Sequence, residues 1–211
     1  MKYHDSISVY SENDDWDAEA VIRLIQEQNV GSVTATKRVI DRIYPFCSKH
    51  YEISYGWVFR FEKARDFEFQ GNIEAANEAD TEEIAQLIVQ DEGIGGYYEV
   101  ADLADQLAER IRTNMGRGFV IRDNGKIVAH IASYAEFDNL ATTGGLIVSP
   151  DFRNGLYGGV LESHLVHTLL EEGFCIYTFV TERLRKKLLS SWGNECIGEY
   201  GKMVLIKDKE Q

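Results

Sequence analysis

Residues 147–161 read I-V-S-P-D-F-R-N-G-L-Y-G-G-V-L, and they carry the strongest indication of the fold. A short apolar run ends at Pro150, a glycine-rich loop with one arginine follows, and a helical pattern of apolar residues then begins. A strand that leads through such a loop into a helix directs free backbone N–H groups at one point, where the helix dipole adds positive potential. Arg153 can add a bidentate contact to a phosphate group. The stretch therefore predicts a phosphate-binding loop, although its spacing matches neither common nucleotide motif.

The same stretch resembles the coenzyme A loop of the GNAT superfamily, the acyl-CoA-dependent N-acyltransferases, which reads roughly V-x-P-x-x-[RQ]-x-x-G-x-[GA]. Pro150, Arg153 and Gly158 match that pattern, whereas Leu156 stands where the first glycine is expected. A strand-loop-helix with a chance arginine remains the alternative interpretation. The resemblance implies acetyl-CoA as cosubstrate and no metal. It places the coenzyme contacts at Leu146, Ile147, Val148, Arg153, Asn154, Gly155, Leu156, Tyr157, Gly158 and Gly159.

The resemblance also implies an α+β fold, in which helices flank a central mixed sheet and the family's fourth and fifth strands splay apart. Asp80 or Thr81 is the predicted N-cap of the first helix, with Glu83 near its third position. Asn124-Gly125 predicts a tight hairpin turn. The predicted elements are a strand and helix over 73–89, a hairpin over 118–134, strands at 143–148 and 174–180, helices at 156–170 and 183–192, and two short strands at 196–199 and 202–206.

Residues 1–72 show a second succession of patterns, which has no glycine-rich loop. This order resembles the second half of a GNAT lobe. It therefore predicts a degenerate N-terminal βαβαβ half lobe at 1–72 and an acetyltransferase domain at 73–211, joined through residues 65–72. The predicted elements are strands at 6–10, 30–35 and 57–62 and helices at 17–28 and 37–46.

Composition limits the class of protein. The formal net charge of the 211 residues is 22 − 35 = −13, which argues against non-specific binding to nucleic acid. No apolar run has the length of a membrane span and no signal peptide is evident, so we expect a cytoplasmic protein without a membrane partner. Three scattered cysteines and five histidines form no metal-ligand or disulfide pattern. A homodimer is compatible with the sequence.

The resemblance implies a mechanism that depends on positioning the acyl thioester against an amine. Glu136 follows the predicted third strand, where several members of the family place a glutamate, and it is the candidate general base. The alternative is a loop carboxylate in water. The family's usual acid is a tyrosine, but Leu189 occupies that place here, so Ser190 or Ser191 is left to protonate the leaving thiolate through a water.

Charge is unevenly distributed along the chain. Residues 74–109 contain eleven acidic and no basic residues, and in the family this stretch borders the acceptor. The sequence therefore predicts a cationic amine as acceptor, the alternative being a merely solvated surface. We expect an N-acetyltransferase that acts on a primary amine of a small molecule or peptide; a non-catalytic acyl-CoA-binding module is the alternative. A transferase that uses aminoacyl-tRNA is a third candidate, against which the acidic charge argues.

Overall fold

The computed structural model describes residues 2–3, 5–28, 30–91, 93–96, 98–153 and 155–206. In chain order its elements are β1 (Lys2–Tyr3), β2 (Ser6–Val9), α1 (Ala18–Gln28), β3 (Ser32–Thr36), α2 (Lys37–Cys47), β4 (Tyr51–Phe61), β5 (Glu74–Ala75), α3 (Thr81–Val89), α4 (Val100–Arg112), β6 (Gly118–Asp123), β7 (Lys126–Phe137), β8 (Leu140–Val148), α5 (Tyr157–Glu171), β9 (Cys175–Val180), α6 (Arg183–Ser191) and β10 (Glu195–Leu205). Short 3₁₀ turns occupy Glu78–Asp80 and Pro150–Phe152.

The chain forms two compact units, each of which is built from segments that are not contiguous in the sequence. The N-terminal unit comprises Met1–Phe59, Phe179–Ser190 and Cys196–Gln211, and the central unit comprises Arg60–Thr178 and Ser191–Glu195. The sequence predicted a GNAT-like half lobe at 1–72 and an acetyltransferase domain at 73–211. That division stays a prediction. None of the described helices is both long and apolar enough to cross a membrane.

The N-terminal unit contains the five elements predicted for residues 1–72, each within a few residues of its expected bounds except β4, which begins six residues early. Its strands lie in the order β1-β2-β3-β10-β4, so a strand from the far end of the chain inserts beside β3. Met203 of β10 pairs antiparallel with Val33 of β3, and both side chains are fully buried. The apolar sides of α1 and α2 cover this sheet through Ile25, Ile40 and Ile43. The first 72 residues therefore do not complete this sheet alone.

The central unit is a mixed sheet in the order β9-β8-β7-β6-β5 with helices on both faces. Neighbouring strands are antiparallel except β8 and β9, which are parallel. Val120 of β6 belongs to the apolar cluster with α3 and α4, whereas the ring of Phe119 packs edge-to-face against His164 of α5. Because successive side chains of a strand point to opposite faces, α5 covers the face opposite α3 and α4. This arrangement confirms the predicted α+β class.

Strand β8 is irregular in two ways. The register between β7 and β8 shifts by one between His130↔Ile147 and Ala132↔Gly144, so Gly145 and Leu146 oppose Ile131 alone. Gly145 adopts a φ of +62°, a conformation that glycine reaches without strain. Among described residues, pairing with β9 runs from Leu140↔Cys175 to Thr143↔Thr178, while β8 continues to Val148. The predicted splay between these two strands is confirmed.

The predicted N-cap position is confirmed, because Asp80 is the N-cap of α3 and Glu83 is the third residue of that helix. The predicted capping by these side chains is wrong: the capping box is formed by Asn77 and Asp80 around the 3₁₀ turn, and the Glu83 carboxylate accepts the Ile127 N–H at 2.9 Å. The two predicted final strands are one continuous strand, β10, because the sheet carries its glycines in extended conformation. The hairpin turn is as expected, with positive φ at both Asn124 (49°) and Gly125 (82°).

Candidate active site

The glycine-rich loop joins β8 to α5 as the sequence predicts. The Phe152 N–H donates to the Ser149 carbonyl at 2.9 Å, and the Gly155 N–H donates to the Phe152 carbonyl at 3.1 Å. These two bonds fold the loop back before the helix begins. The α5 N-cap is Leu156, which supplies no side-chain acceptor. The N–H groups of the first helical turn therefore lack intrahelical partners at the positive end of the helix dipole. Asn154, a predicted contact, lies outside the described residues.

Arg153 lies beside this helix start but is held by protein groups. Its Nε donates to the Val148 carbonyl at 3.0 Å, and its Nη2 lies 3.0 Å from Asp91 Oδ2. The side chain remains half exposed, so an anion could approach it. A bound phosphate would have to compete with Asp91 for the guanidinium.

The glycines of the loop have different neighbours. A side chain at Gly158 would meet Val148 and Leu146 at ordinary contact distances of 3.5 and 3.9 Å. A Cβ at Gly159 would lie 2.7 Å from the Phe67 ring, so this position requires glycine unless the ring moves. Besides its predicted role in approaching a ligand, Gly159 therefore leaves the space that the Phe67 ring occupies.

Phe67 belongs to the joining segment, defined here as residues 65–69, which lies across the first turns of α5. Phe69 packs edge-on against Tyr157 at a centroid distance of 5.8 Å. The Ser163 hydroxyl donates to the Arg65 carbonyl. The Arg65 guanidinium lies 5.1 Å from the Trp192 ring and 5.6 Å from the Phe67 ring. The joining segment is therefore packed against α5 rather than extended as a linker.

A small recess lies on the face of the sheet that α3 and α4 cover. Its polar groups include His130, which is 1% exposed and donates from Nδ1 to the Gly145 carbonyl at 3.0 Å. Burial lowers the pKa of His130 to about 4, so its ring is neutral at physiological pH. The Arg110 guanidinium lies 4.8 Å from the ring of Tyr134. Burial raises the pKa of Tyr134 to about 12, so its hydroxyl stays protonated.

Glu136 is not a loop carboxylate in water, because its side chain is only 9% exposed. It accepts hydrogen bonds from Arg117 Nε at 2.9 Å and Nη2 at 2.6 Å, and from the Ser133 hydroxyl. The same guanidinium binds Glu172 at 2.7 Å. Hydrogen bonds to Glu172 and Glu136 raise the pKa of Arg117, and the bond from Arg117 lowers the pKa of Glu172. Glu136 would act as a base through a water or after turning from these partners.

The end of α6 carries the predicted acid. Leu189 is fully buried and offers no proton, whereas Ser190 is exposed at the end of the helix. Ser190 belongs to the N-terminal unit and Glu136 to the central unit. Its role as acid stays a prediction.

The described residues contain no group of three or more metal-ligating side chains. His164 and His167, which have the spacing of a possible ligand pair, have other neighbours: His164 packs edge-to-face against Phe119, and His167 Nε2 lies 3.1 Å from Glu171.

The sequence singled out the loop and Glu136 as candidates but indicated no role for His130 or Arg117. The alternation of strand β7 places His130, Ala132 and Tyr134 on one face, which was the available signal. The partners of Arg117 are 19 and 55 residues away in sequence, and no local pattern indicates them.

Comparison with known proteins agrees with this geometry. Three solved structures share the fold at low identity: a GNAT-family acetyltransferase from Novosphingobium aromaticivorans (17% identity, 75% of this chain and 66% of that one, TM-score 0.57), a GCN5-related N-acetyltransferase from Kribbella flavida (15%, 91% and 77%, 0.63) and a Drosophila protein (15%, 95% and 70%, 0.69). The chain thus spans just under two thirds of the first of these proteins. A search of curated proteins found no significant match. The model of the acetyltransferase (GNAT) family matches residues 81–187, just over half of the chain, and the protein therefore belongs to the GNAT acetyltransferase family.

Proposed function

We propose that this protein transfers an acetyl group from acetyl-CoA to a primary amine of a small molecule or peptide. The observation that carries the proposal is the course of β8, which loses its pairing to β9 after Thr143 and continues into the uncapped start of α5. The edge at 146–148 suits the amide groups of the pantetheine arm, and Arg153 and residues 155–159 suit the pyrophosphate of coenzyme A.

The proposed reaction is direct attack by a neutral amine on the thioester carbon. A C–N bond forms, the carbonyl oxygen becomes an oxyanion, and collapse of the intermediate breaks the C–S bond and releases the coenzyme thiolate. A backbone N–H of β8 stabilises the oxyanion. Glu136 accepts the proton that the amine loses, directly or through water, and the thiolate takes up a proton from water. Much of the rate enhancement then comes from holding the two reactants in contact.

A non-catalytic acyl-CoA-binding module is the second candidate, and Leu189 favours it. Its buried side chain fills the place of the family's tyrosine, and Glu136 is already bound by Arg117 and Ser133. Thermal-shift measurements with acetyl-CoA, followed by thiol release over a panel of amines, separate the two. Stabilisation with amine-dependent thiol release supports the transferase; stabilisation without release from any amine supports the module. If neither acetyl-CoA nor CoA stabilises the protein, both candidates are wrong.

The first prediction concerns Arg153. Replacing Arg153 with alanine should weaken acetyl-CoA binding by about 1.5–3 kcal/mol, because one charged hydrogen-bond donor to phosphate is lost. Asp91→Asn is the matched variant: it removes the competing charge while keeping an oxygen for the Gly93 N–H, so acetyl-CoA should bind more tightly than to the wild type. Isothermal titration gives both affinities. Unchanged affinity in Arg153→Ala would remove the arginine from the site.

The second prediction separates Glu136 from its neighbour Glu172, since both bind Arg117. Glu136→Gln should lower kcat with little effect on acetyl-CoA affinity, and the ascending limb of the pH–rate profile should disappear, because the base is gone. Glu172→Gln loosens the same guanidinium without removing the base, and it should retain the profile. Equal effects of the two variants would show that Glu136 acts only by holding Arg117.

The acceptor is proposed to be cationic, although the structure reduces the charge that would attract it. Among the acidic residues within 74–109 that the structure describes, at least five bind arginine side chains. Arg122 alone contacts three of them, at 2.6 Å (Asp80), 3.1 Å (Glu74) and 3.7 Å (Glu83). Glu78 binds Arg112 and Asp91 binds Arg153. Exposed Asp102 and Asp105 on α4 are then the carboxylates best suited to attract a cation to this unit.

The third prediction follows from those two carboxylates. Asp102→Asn with Asp105→Asn should lower kcat/KM for polycationic amines at low salt, and the difference from wild type should fade as salt rises. Glu27→Gln with Glu52→Gln changes the net charge equally and is the control. Identical salt dependence for neutral and polycationic amines would exclude a role of α4 charge in selecting the acceptor.

A further inference from the structure

The bulge of β8 is held by a side chain instead of by the strand ladder. Gly145 lies where two residues of β8 oppose one residue of β7, so its peptide is displaced from regular pairing. The Gly145 carbonyl accepts a hydrogen bond from His130 Nδ1 at 3.0 Å. Because a carbonyl oxygen can only accept, Nδ1 must carry the proton, which leaves Nε2 unprotonated in the neutral ring.

This hydrogen bond fixes the direction of the next amide. The carbonyl of Gly145 and the N–H of Leu146 belong to one planar trans peptide, in which the two groups point in opposite directions. The carbonyl points at the His130 ring, so the Leu146 N–H points away from that ring. The pairing of β8 with β9 has ended three residues earlier, at Thr143↔Thr178. The edge of β8 beyond Thr143 is therefore where we expect this N–H to meet a ligand.

We propose that His130 is a positioning residue, which holds the Gly145 carbonyl so that the Leu146 N–H is aimed at the oxygen of the acyl thioester. The inference rests on the proposed acyl-CoA site and adds to it a side chain to which sequence reasoning gave no function. His130 does not touch the reacting atoms; it acts through the peptide that does. A donor set before the substrate arrives stabilises the oxyanion without reorganisation during the reaction.

The surroundings of His130 suit such a task. The imidazole is buried, and a Cβ at Gly118 would lie 3.2 Å from its Nε2, so that glycine leaves room for the ring. The Tyr134 ring packs on the same side of the bulge as the imidazole: a Cβ would lie 2.6 Å from it at Gly144 and 2.3 Å from its hydroxyl at Gly145. The two side chains together leave little space beside the Gly145 peptide on that face. A hydrogen bond to its carbonyl also polarises the amide and strengthens its N–H as a donor.

The test compares the wild type with His130→Asn and His130→Leu. Asparagine can place an amide N–H near the position of imidazole Nδ1, whereas leucine fills similar space without a donor. The probes are acetyl-CoA and CoA, which differ only in the acyl group that the Leu146 N–H would contact. We measure both affinities by calorimetry and the Leu146 amide resonance by NMR. In the wild type, acetyl-CoA but not CoA should shift the Leu146 proton downfield; His130→Leu should lose that shift, and His130→Asn should restore it.

Turnover provides the second measurement, with spermine, a lysine-rich peptide and a neutral primary amine as acceptors. His130→Leu should lower kcat at least about tenfold with KM for acetyl-CoA unchanged. This effect is smaller than the ~10²–10³-fold fall in kcat that follows removal of a whole oxyanion donor. His130→Asn should recover most of the rate. A rise in KM for acetyl-CoA together with a fall in kcat, without recovery in His130→Asn, would show a purely structural role and overturn the inference.

One measurement requires neither turnover nor a variant that folds. The ¹⁵N shifts of His130 in the unliganded wild type should show the neutral ring with its proton on Nδ1, and the opposite tautomer would overturn the inference. Failure here differs from failure of the proposed function. If neither acetyl-CoA nor CoA binds the wild type, the acyl-CoA site is wrong; if both bind and Leu146 responds alike in the wild type and His130→Leu, only the role of His130 is wrong.

Discussion

The local loss of pairing between β8 and β9 is the constraint on which the candidate site depends. Parallel strands normally satisfy each other's backbone groups along their length. Here the pairing stops at Thr143↔Thr178, and β8 continues for five more residues before the loop. Under the proposed function, the two amide groups of a pantetheine arm take the place of the missing strand along this edge, and the start of α5 follows at the end of β8.

Two glycines and one histidine make the departure of β8 compatible with a stable core. The positive φ at Gly145 turns the backbone out of the ladder, and the bond from His130 satisfies the carbonyl that the turn exposes. An unsatisfied buried carbonyl would otherwise cost about 1–3 kcal/mol. Arg117 has a comparable function at the other end of β7, where it gathers Glu136 and Glu172. Polar groups thus stabilise the two places where this part of the sheet is irregular.

Much of the fold could be predicted from the sequence because the informative signals are local. The spacing of Pro150, Arg153 and the glycines marked the loop, and Asn124-Gly125 marked the hairpin. The continuity of β10 could not be seen, since Gly198 and Gly201 resemble turn residues until strands on either side hold them extended. The contacts of Glu136 depend on Arg117, which approaches only after the sheet forms. For His130, the adjacent glycines 144 and 145 were a signal of a bulge, but its partner is defined only by the register of β7 against β8.

Phe67 has a consequence for how this chain can change over evolution. Its ring occupies the space that any side chain at Gly159 would need. The family's loop pattern ends one residue earlier, at Gly158. The glycine at 159 is therefore explained by packing against the joining segment and not by the family pattern. A side chain at 159 requires the Phe67 ring to move, and a smaller residue at 67 leaves a gap beside Gly159. The joining segment and the loop are therefore expected to diverge together among descendants of this sequence, as one inherited module.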